Sequence, residues 1–225
     1  TDVLLAMPCV GINAHRLADL AAKFPDTQFS SIADAEETIA FLASAAQQHN
    51  VTLGVYIEID CGMGRTGIVP GDEAAILAHV LKDTPRLQFC GIHAYDGHIH
   101  DDSLDVRRER CDAAFESVLQ FRCRLQGEGI IVKDLVAGGS PTFGIHATYP
   151  DRTLSPGTTV LWDFGYGDKH PDLPFLPAAA LLARVVSKPG RNRLTLDLGH
   201  KSVAPENPHP RVRFEELPDA TRSEE

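Results

Sequence analysis

The sequence predicts a parallel α/β fold, most of a (β/α)8 TIM-type barrel, followed by the beginning of an antiparallel β domain. Three observations carry this expectation. Six short apolar runs alternate with segments of helical periodicity, which is the pattern of βαβ units. The last two runs end in small and hydroxylated residues, Leu135-Val-Ala-Gly-Gly-Ser-Pro-Thr142 and Leu154-Ser-Pro-Gly-Thr158, and loops after late barrel strands are where phosphate sites are built. From Ala178 the texture changes to alternating residues around a turn, Lys188-Pro-Gly-Arg-Asn192.

Taken in order, Val3–Met7 reads as a buried parallel strand and His15–Lys23 as a short helix. Gln28–Ser31 is a second strand, and Ser31-Ile-Ala-Asp34 resembles a capping box that opens a helix to about Gln48. Its apolar face comprises Ile39, Leu42, Ala43 and Ala46. Leu53–Asp60 is the third strand, Gly71–Lys82 a helix stopped before Pro85, and Leu87–Tyr95 the fourth strand. Asp101-Asp-Ser103 opens a long helix with Cys111, Ala114, Phe115, Val118, Phe121 and Leu125 on one stripe. Leu135–Ala137 and the approach to Gly157 are strands five and six. The expected division is a barrel domain over 1–175 and a β domain beginning at 176–225. Both ends read as internal to a longer chain.

With 43% hydrophobic and 23% charged residues, the composition is that of a globular protein. A net charge of −10 argues against nucleic acid or an anionic membrane surface as partner. No apolar run approaches the ~20 residues of a spanning helix. Five scattered cysteines without a Cys-x-x-Cys pair suggest free thiols in a reducing compartment, the cytoplasm.

The two glycine-containing loops point to an anion. Gly139 and Gly157 let backbone approach a phosphate, and Ser140, Thr142 and Thr158 supply hydroxyl donors. Each loop singly is also what an ordinary strand–turn junction looks like. Gly62-Met-Gly-Arg-Thr-Gly67 spells a G-x-G-x-x-G, but it follows the third strand rather than the first. The acidic residue nearest the required spacing, Asp83, ends a helix instead of a strand, which leaves a nicotinamide oxidoreductase as a distant reading. Within this segment Arg65 suits either a ring nitrogen, phosphate or carboxylate, or an ion pair with Glu58 or Asp60. Gly91-Ile-His-Ala-Tyr-Asp-Gly-His-Ile-His100 brings His93 and Tyr95 onto one strand face, lining a cavity, with His98 and His100 near its mouth. The His98-x-His100 pair also fits a metal site, but later strand ends lack the further histidines and aspartate such a site needs. For each histidine taken alone, a hydrogen-bonded structural role is the simpler reading.

Five blocks in order, Ile57–Gly67, Gly91–His98, Gly138–Thr142, Leu154–Thr158 and Leu196-Asp-Leu-Gly-His-Lys201, resemble the D-threonine aldolase / D-serine dehydratase family. The resemblance covers nearly the whole chain. It implies an alanine-racemase-like barrel, a C-terminal β domain and the cofactor pyridoxal 5'-phosphate. It implies a cofactor phosphate on Gly139, Ser140, Thr142, Gly157 and Thr158, and a ring cavity lined by Arg65, His93 and His100. His93 and His100 stand where relatives often carry tyrosine. It further implies a homodimeric lyase for D-configured β-hydroxy amino acids, assisted by a divalent metal (Mn, Mg or Zn). The family's Schiff-base lysine and metal ligands match no position here, so the catalytic residue is unknown and the chain alone is expected to be inactive. A non-catalytic pyridoxal-phosphate-binding protein is the alternative.

Overall fold

In the computed structural model of the chain, residues 1–208 and 210–214 are described. The end of the expected β domain, 215–225, lies outside them. The chain falls into two compact units, Thr1–Gly157 and Thr158–Glu225.

The first unit is a single six-stranded sheet, β1 (Asp2–Pro8), β2 (Gln28–Ala33), β3 (Leu53–Ile59), β4 (Leu87–Ala94), β5 (Asp134–Ala137) and β6 (Thr153–Leu154), in sequence order. Every pairing in it is parallel. Helices α1 (Ile12–Lys23), α2 (Glu36–His49), α3 (Asp72–Asp83) and α4 (Leu104–Gly127) connect the first five strands, and the four-residue α5 (Phe143–His146) precedes β6. A parallel sheet whose strands follow one another without reversal is wound one way, as in a barrel, and lacks the switch point of a doubly wound sheet. The six strands form an open sheet rather than a closed ring: β1 and β6 are its two edges.

One face of the sheet meets the helices. Val55, Ile57 and Ile59 of β3, Ile92 and Ala94 of β4, and Leu135 and Ala137 of β5 join the main apolar cluster. The helices contribute Leu17, Leu42, Leu77, Leu81, Phe115 and Val118 among others, the stripes that a 3.6-residue period demands. The residues out of phase face the other way. Ser30, Tyr56, Glu58 and His93 therefore point away from the helices, and Glu58 and His93 lie toward the C-terminal strand ends, where barrels keep their sites. Gly91 is required by β4's approach to β5, since a Cβ there would lie 2.0 Å from the Asp134 carbonyl oxygen.

Three local expectations are corrected. Ser31 does not cap α2: it is buried within β2, and its hydroxyl donates to the Met7 carbonyl, while Ala35 precedes the helix without a side-chain cap. Extension of β2 through Ala33, paired with Ile57, takes the residues the capping box needed. β1 is parallel but not buried, with Val3, Leu5 and Met7 at 41, 38 and 54% exposure, because as an edge strand it has one neighbour. The C-terminal hairpin is shifted: β7 (Val185–Gly190) includes the residues read as its turn, and the reversal falls on Arg191-Asn192 before β8 (Arg193–Leu196). Asn192 adopts the left-handed backbone (φ 61°) that asparagine tolerates and most residues do not.

The second unit opens with a 3-10 turn, Thr158–Val160, and a short helix, α6 (Phe164–Lys169), capped by the Asp163 carboxylate accepting from the Tyr166 N–H. Trp162 is buried against the rings of Tyr166 and Phe175.

Candidate functional site

The C-terminal ends of β3, β4 and β5 carry most of the residues the sequence singles out. Register places Glu58 directly beside His93, and His93 beside Val136. Both ionisable side chains are nearly inaccessible, at 2% and 5% exposure. Glu58 Oε1 accepts from the Thr66 hydroxyl at 2.7 Å, but its Oε2 has no hydrogen-bond partner, and neither does His93 Nδ1. Burial is the main reason the Glu58 carboxyl is raised above its ordinary value. Burial, then the nearby Arg65 charge, lowers His93 to about 4, so its imidazole is neutral at physiological pH. Two unspent polar atoms on adjacent strands are a costly arrangement for an interior with no ligand to meet.

Arg65 completes the group. Its guanidinium lies over the Tyr95 ring, 4.7 Å from the centroid, and its charge reaches both Glu58 and His93. Tyr95 in turn packs on the glycine loop after β5: a Cβ added to Gly139 would come within 3.0 Å of the ring. Arg65, His93, Tyr95 and Gly139 are thus brought together. His100 is not part of the group, being exposed in the loop between β4 and α4.

The two glycine loops start side by side, because Ala137 pairs with Leu154 and the Ser155 N–H donates to Ala137 O. Ser140 is buried, Gly157 exposed, and Thr158 half-buried at the start of the second unit. Gly139 N–H and the Thr142 hydroxyl have a different destination from the one the sequence suggests. Both donate to Asp96 Oδ1, at 2.9 and 2.7 Å, from a loop in which Gly138 takes φ 88°. Asp96 lies two residues beyond β4 and is completely buried. Its other oxygen is 2.8 Å from His146 Nε2, and Cys111 Sγ lies 3.3 Å from the same nitrogen.

Asp96, Cys111 and His146 offer three ligand atoms within 4.8 Å of one another, a grouping that could hold a metal ion. Their chemistry does not suit one. Arg152 donates to His146 Nδ1 at 2.6 Å, whereas a metal-bound imidazole uses its second nitrogen to donate to an acceptor. Sequence reading missed this cluster because Asp96, Cys111, His146 and Arg152 share no local motif. The available signal was an aspartate just past a strand end in Tyr95-Asp96-Gly97.

The G-x-G-x-x-G segment is no pyrophosphate cradle. The N–H groups of Gly62 and Gly64 donate to the Asp60 carboxylate, and no helix starts until Asp72. Burial tends to raise Asp60, but hydrogen bonds from the Gly64, Gly62 and Met63 amides outweigh it and hold the carboxyl below its ordinary value. Gly67 N–H goes to Asp34. No helix among the described residues is long and apolar enough to cross a membrane, and all five cysteines are free.

The six lysines, none of which matches the family's Schiff-base position, can be located by element. Lys23 and Lys82 end α1 and α3, and Lys133 precedes β5, all at the opposite end of the strands from Arg65. Lys169, Lys188 and Lys201 lie in the second unit.

The family model described as alanine racemase, N-terminal domain, matches residues 8–161. A 3-hydroxy-D-aspartate aldolase of Paracoccus denitrificans (strain Pd 1222) is 32% identical over 161 residues, covering 68% of this chain and 40% of that protein. A D-threonine aldolase of an Arthrobacter species is 29% identical over 209 residues, covering 91% of this chain and 55% of that one. Among solved structures, the crystal structure of a D-threonine aldolase from Filomicrobium marinum superposes with a TM-score of 0.81 at 27% identity, over 91% of this chain and 55% of the other. The chain therefore spans about half the length of the relatives it matches.

Proposed function

Because the chain belongs to the alanine racemase N-terminal domain family, we propose that it is the cofactor-binding portion of a pyridoxal-phosphate-dependent lyase acting on D-configured β-hydroxy amino acids. The observation that carries this reading is the pair of unspent polar atoms, Glu58 Oε2 and His93 Nδ1, on adjacent strands within reach of the Arg65 charge. A flat ring with polar substituents supplies the partners these atoms lack. The fit also includes Gly138–Thr142, a loop narrow enough that a Cβ at Gly139 would press on Tyr95.

In this proposal Arg65 binds a polar edge of the cofactor ring and stays oriented by its stacking on Tyr95. His93, neutral at physiological pH, accepts or passes a proton at Nδ1. Glu58 accepts a hydrogen bond through Oε2. The phosphate is assigned to Ser140 in the first glycine loop and to Gly157 in the second, with Gly139 and Thr142 shaping the first loop. When bound, the cofactor supplies an electron sink for bond cleavage at the substrate's α-carbon. The catalytic lysine is assigned to none of the six in this chain, and no metal-dependent step is assigned to Asp96, Cys111 and His146. The eight-stranded barrel, the boundary near residue 175, the homodimer, the cytoplasmic location and the metal belong to the same proposal for the longer protein. Conversion of 3-hydroxy-D-aspartate or D-threonine is supported by the names of the relatives, and a non-catalytic cofactor-binding role is the second reading.

Titration with pyridoxal 5'-phosphate, pyridoxal and NAD, followed by calorimetry, tests the reading. The phosphate ester is expected to bind most tightly, and Arg65→Ala to weaken it about tenfold or more, the loss of one charged contact. Preference for NAD, or indifference to Arg65→Ala, would overturn it.

A further inference from the structure

The strongest unassigned feature is the buried chain of groups behind the first glycine loop. Asp96 is an acceptor-only side chain surrounded by donors. It takes Gly139 N–H and Thr142 O–H on Oδ1, and His146 Nε2 on Oδ2, with Cys111 Sγ 3.7 Å from that oxygen. A protonated carboxyl could not accept from so many donors, so the geometry requires the carboxylate. Arginine cannot accept a hydrogen bond, so the 2.6 Å contact from Arg152 fixes His146 Nδ1 as the acceptor and leaves its proton on Nε2. The imidazole is clamped besides by the Phe115 ring, 4.3 Å away, and Arg152 stacks over Phe115 and Tyr149 at 4.9 and 3.8 Å. A buried carboxylate, a neutral imidazole of fixed tautomer and a guanidinium thus stand in line.

We infer that Asp96, His146 and Arg152 form a positioning relay that holds the Gly138–Thr142 loop in its anion-binding shape. The relay consumes Gly139 N–H and the Thr142 hydroxyl to build the loop. Arg152 balances the Asp96 charge across the imidazole, so that the loop gains a rigid internal anchor with no net charge. The inference deepens the phosphate assignment and rests on it for its purpose, while the relay itself is read from the hydrogen bonds alone.

The test uses the whole chain, labelled with 15N. Long-range 1H–15N correlation spectra are expected to show His146 with a protonated Nε2 and a bare Nδ1. Asp96→Asn keeps the shape but cannot accept on both sides at once, so one donor is stranded. Amide exchange at Gly139 should then rise at least tenfold more than exchange at Val55 and Ile57 in β3. Affinity for pyridoxal 5'-phosphate should fall at least fivefold, with pyridoxal little affected. Arg152→Met, at a half-buried position, should release the tautomer and populate Nδ1–H. A wild-type chain that binds no phosphate ester, yet shows the tautomer and the Gly139 response, supports the relay and removes the phosphate assignment. An Nδ1–H tautomer in the wild type, a Gly139 response no larger than that of β3, or, in a chain that binds the ester, unchanged affinity in Asp96→Asn would overturn the relay. So would one zinc ion retained per chain after dialysis and lost in Cys111→Ser.

Discussion

Glu58 and His93 sit side by side on neighbouring strands, and burial moves their titrations toward each other from opposite directions. The unfolded chain protonates the histidine near its ordinary 6.5, the folded chain only at about 4. His93 therefore contributes its full stability above pH 6.5, and that contribution falls away as the pH drops toward 4. The gap corresponds to about 3 kcal/mol. Chemical denaturation at pH 7 and pH 4.5 should show His93→Gln losing less stability over this interval than the parent chain; equal losses would contradict the assignment. For Glu58 the sign is reversed, since its raised folded-state value favours the protonated form. Its contribution is fully present at low pH and is lost as pH rises through the folded value. Glu58→Gln, which cannot ionise, is expected to stabilise the chain at pH 7 relative to the parent, a Tm measurement. A lower Tm at pH 7 would show that the carboxylate is satisfied there.

At the scale of elements, strand ends and the loops after them decide both packing and site. Gly91→Ala should cost about 3 kcal/mol or more, because the new Cβ meets backbone of Asp134 that cannot move without breaking the β4–β5 ladder. Gly139→Ala meets only the edge of the Tyr95 ring, so a smaller loss of about 1–2 kcal/mol is expected together with a larger loss of pyridoxal phosphate affinity. Urea titration and calorimetry on the two variants separate these effects, and a reversed order would refute the packing account. The helices were legible because Cys111, Phe115, Val118, Phe121 and Leu125 keep the period of a buried stripe. The Ser31 cap was not, because a capping box read locally cannot register that Ser31 pairs with Val55 in the sheet. Arg65, His93, Tyr95 and Gly139 were legible as strand-end residues. Asp96 was not, since Cys111 and His146 reach it only through the folding of α4 and α5.

For the molecule as a whole, the sequential parallel order was written in the alternation of strands and helices, whereas barrel closure depends on edges that periodicity does not report. β1 presents Val3, Leu5 and Met7 along an open edge, and Val185, Val186 and Leu194 are exposed on the hairpin. Exposed apolar strands favour association. Light scattering at rising concentration is expected to give masses above the 24.4 kDa of one chain, and a constant monomer would count against the proposed homodimer. The central claim is that the group formed by Arg65, His93 and the Gly138–Thr142 loop receives pyridoxal 5'-phosphate. Crystals grown with the cofactor locate it most directly. The account predicts density with its ring between Arg65 and His93 and its phosphate at Ser140 and Gly157. Density at Gly62–Gly67, or none beside Arg65 and His93 at saturating cofactor, would contradict it.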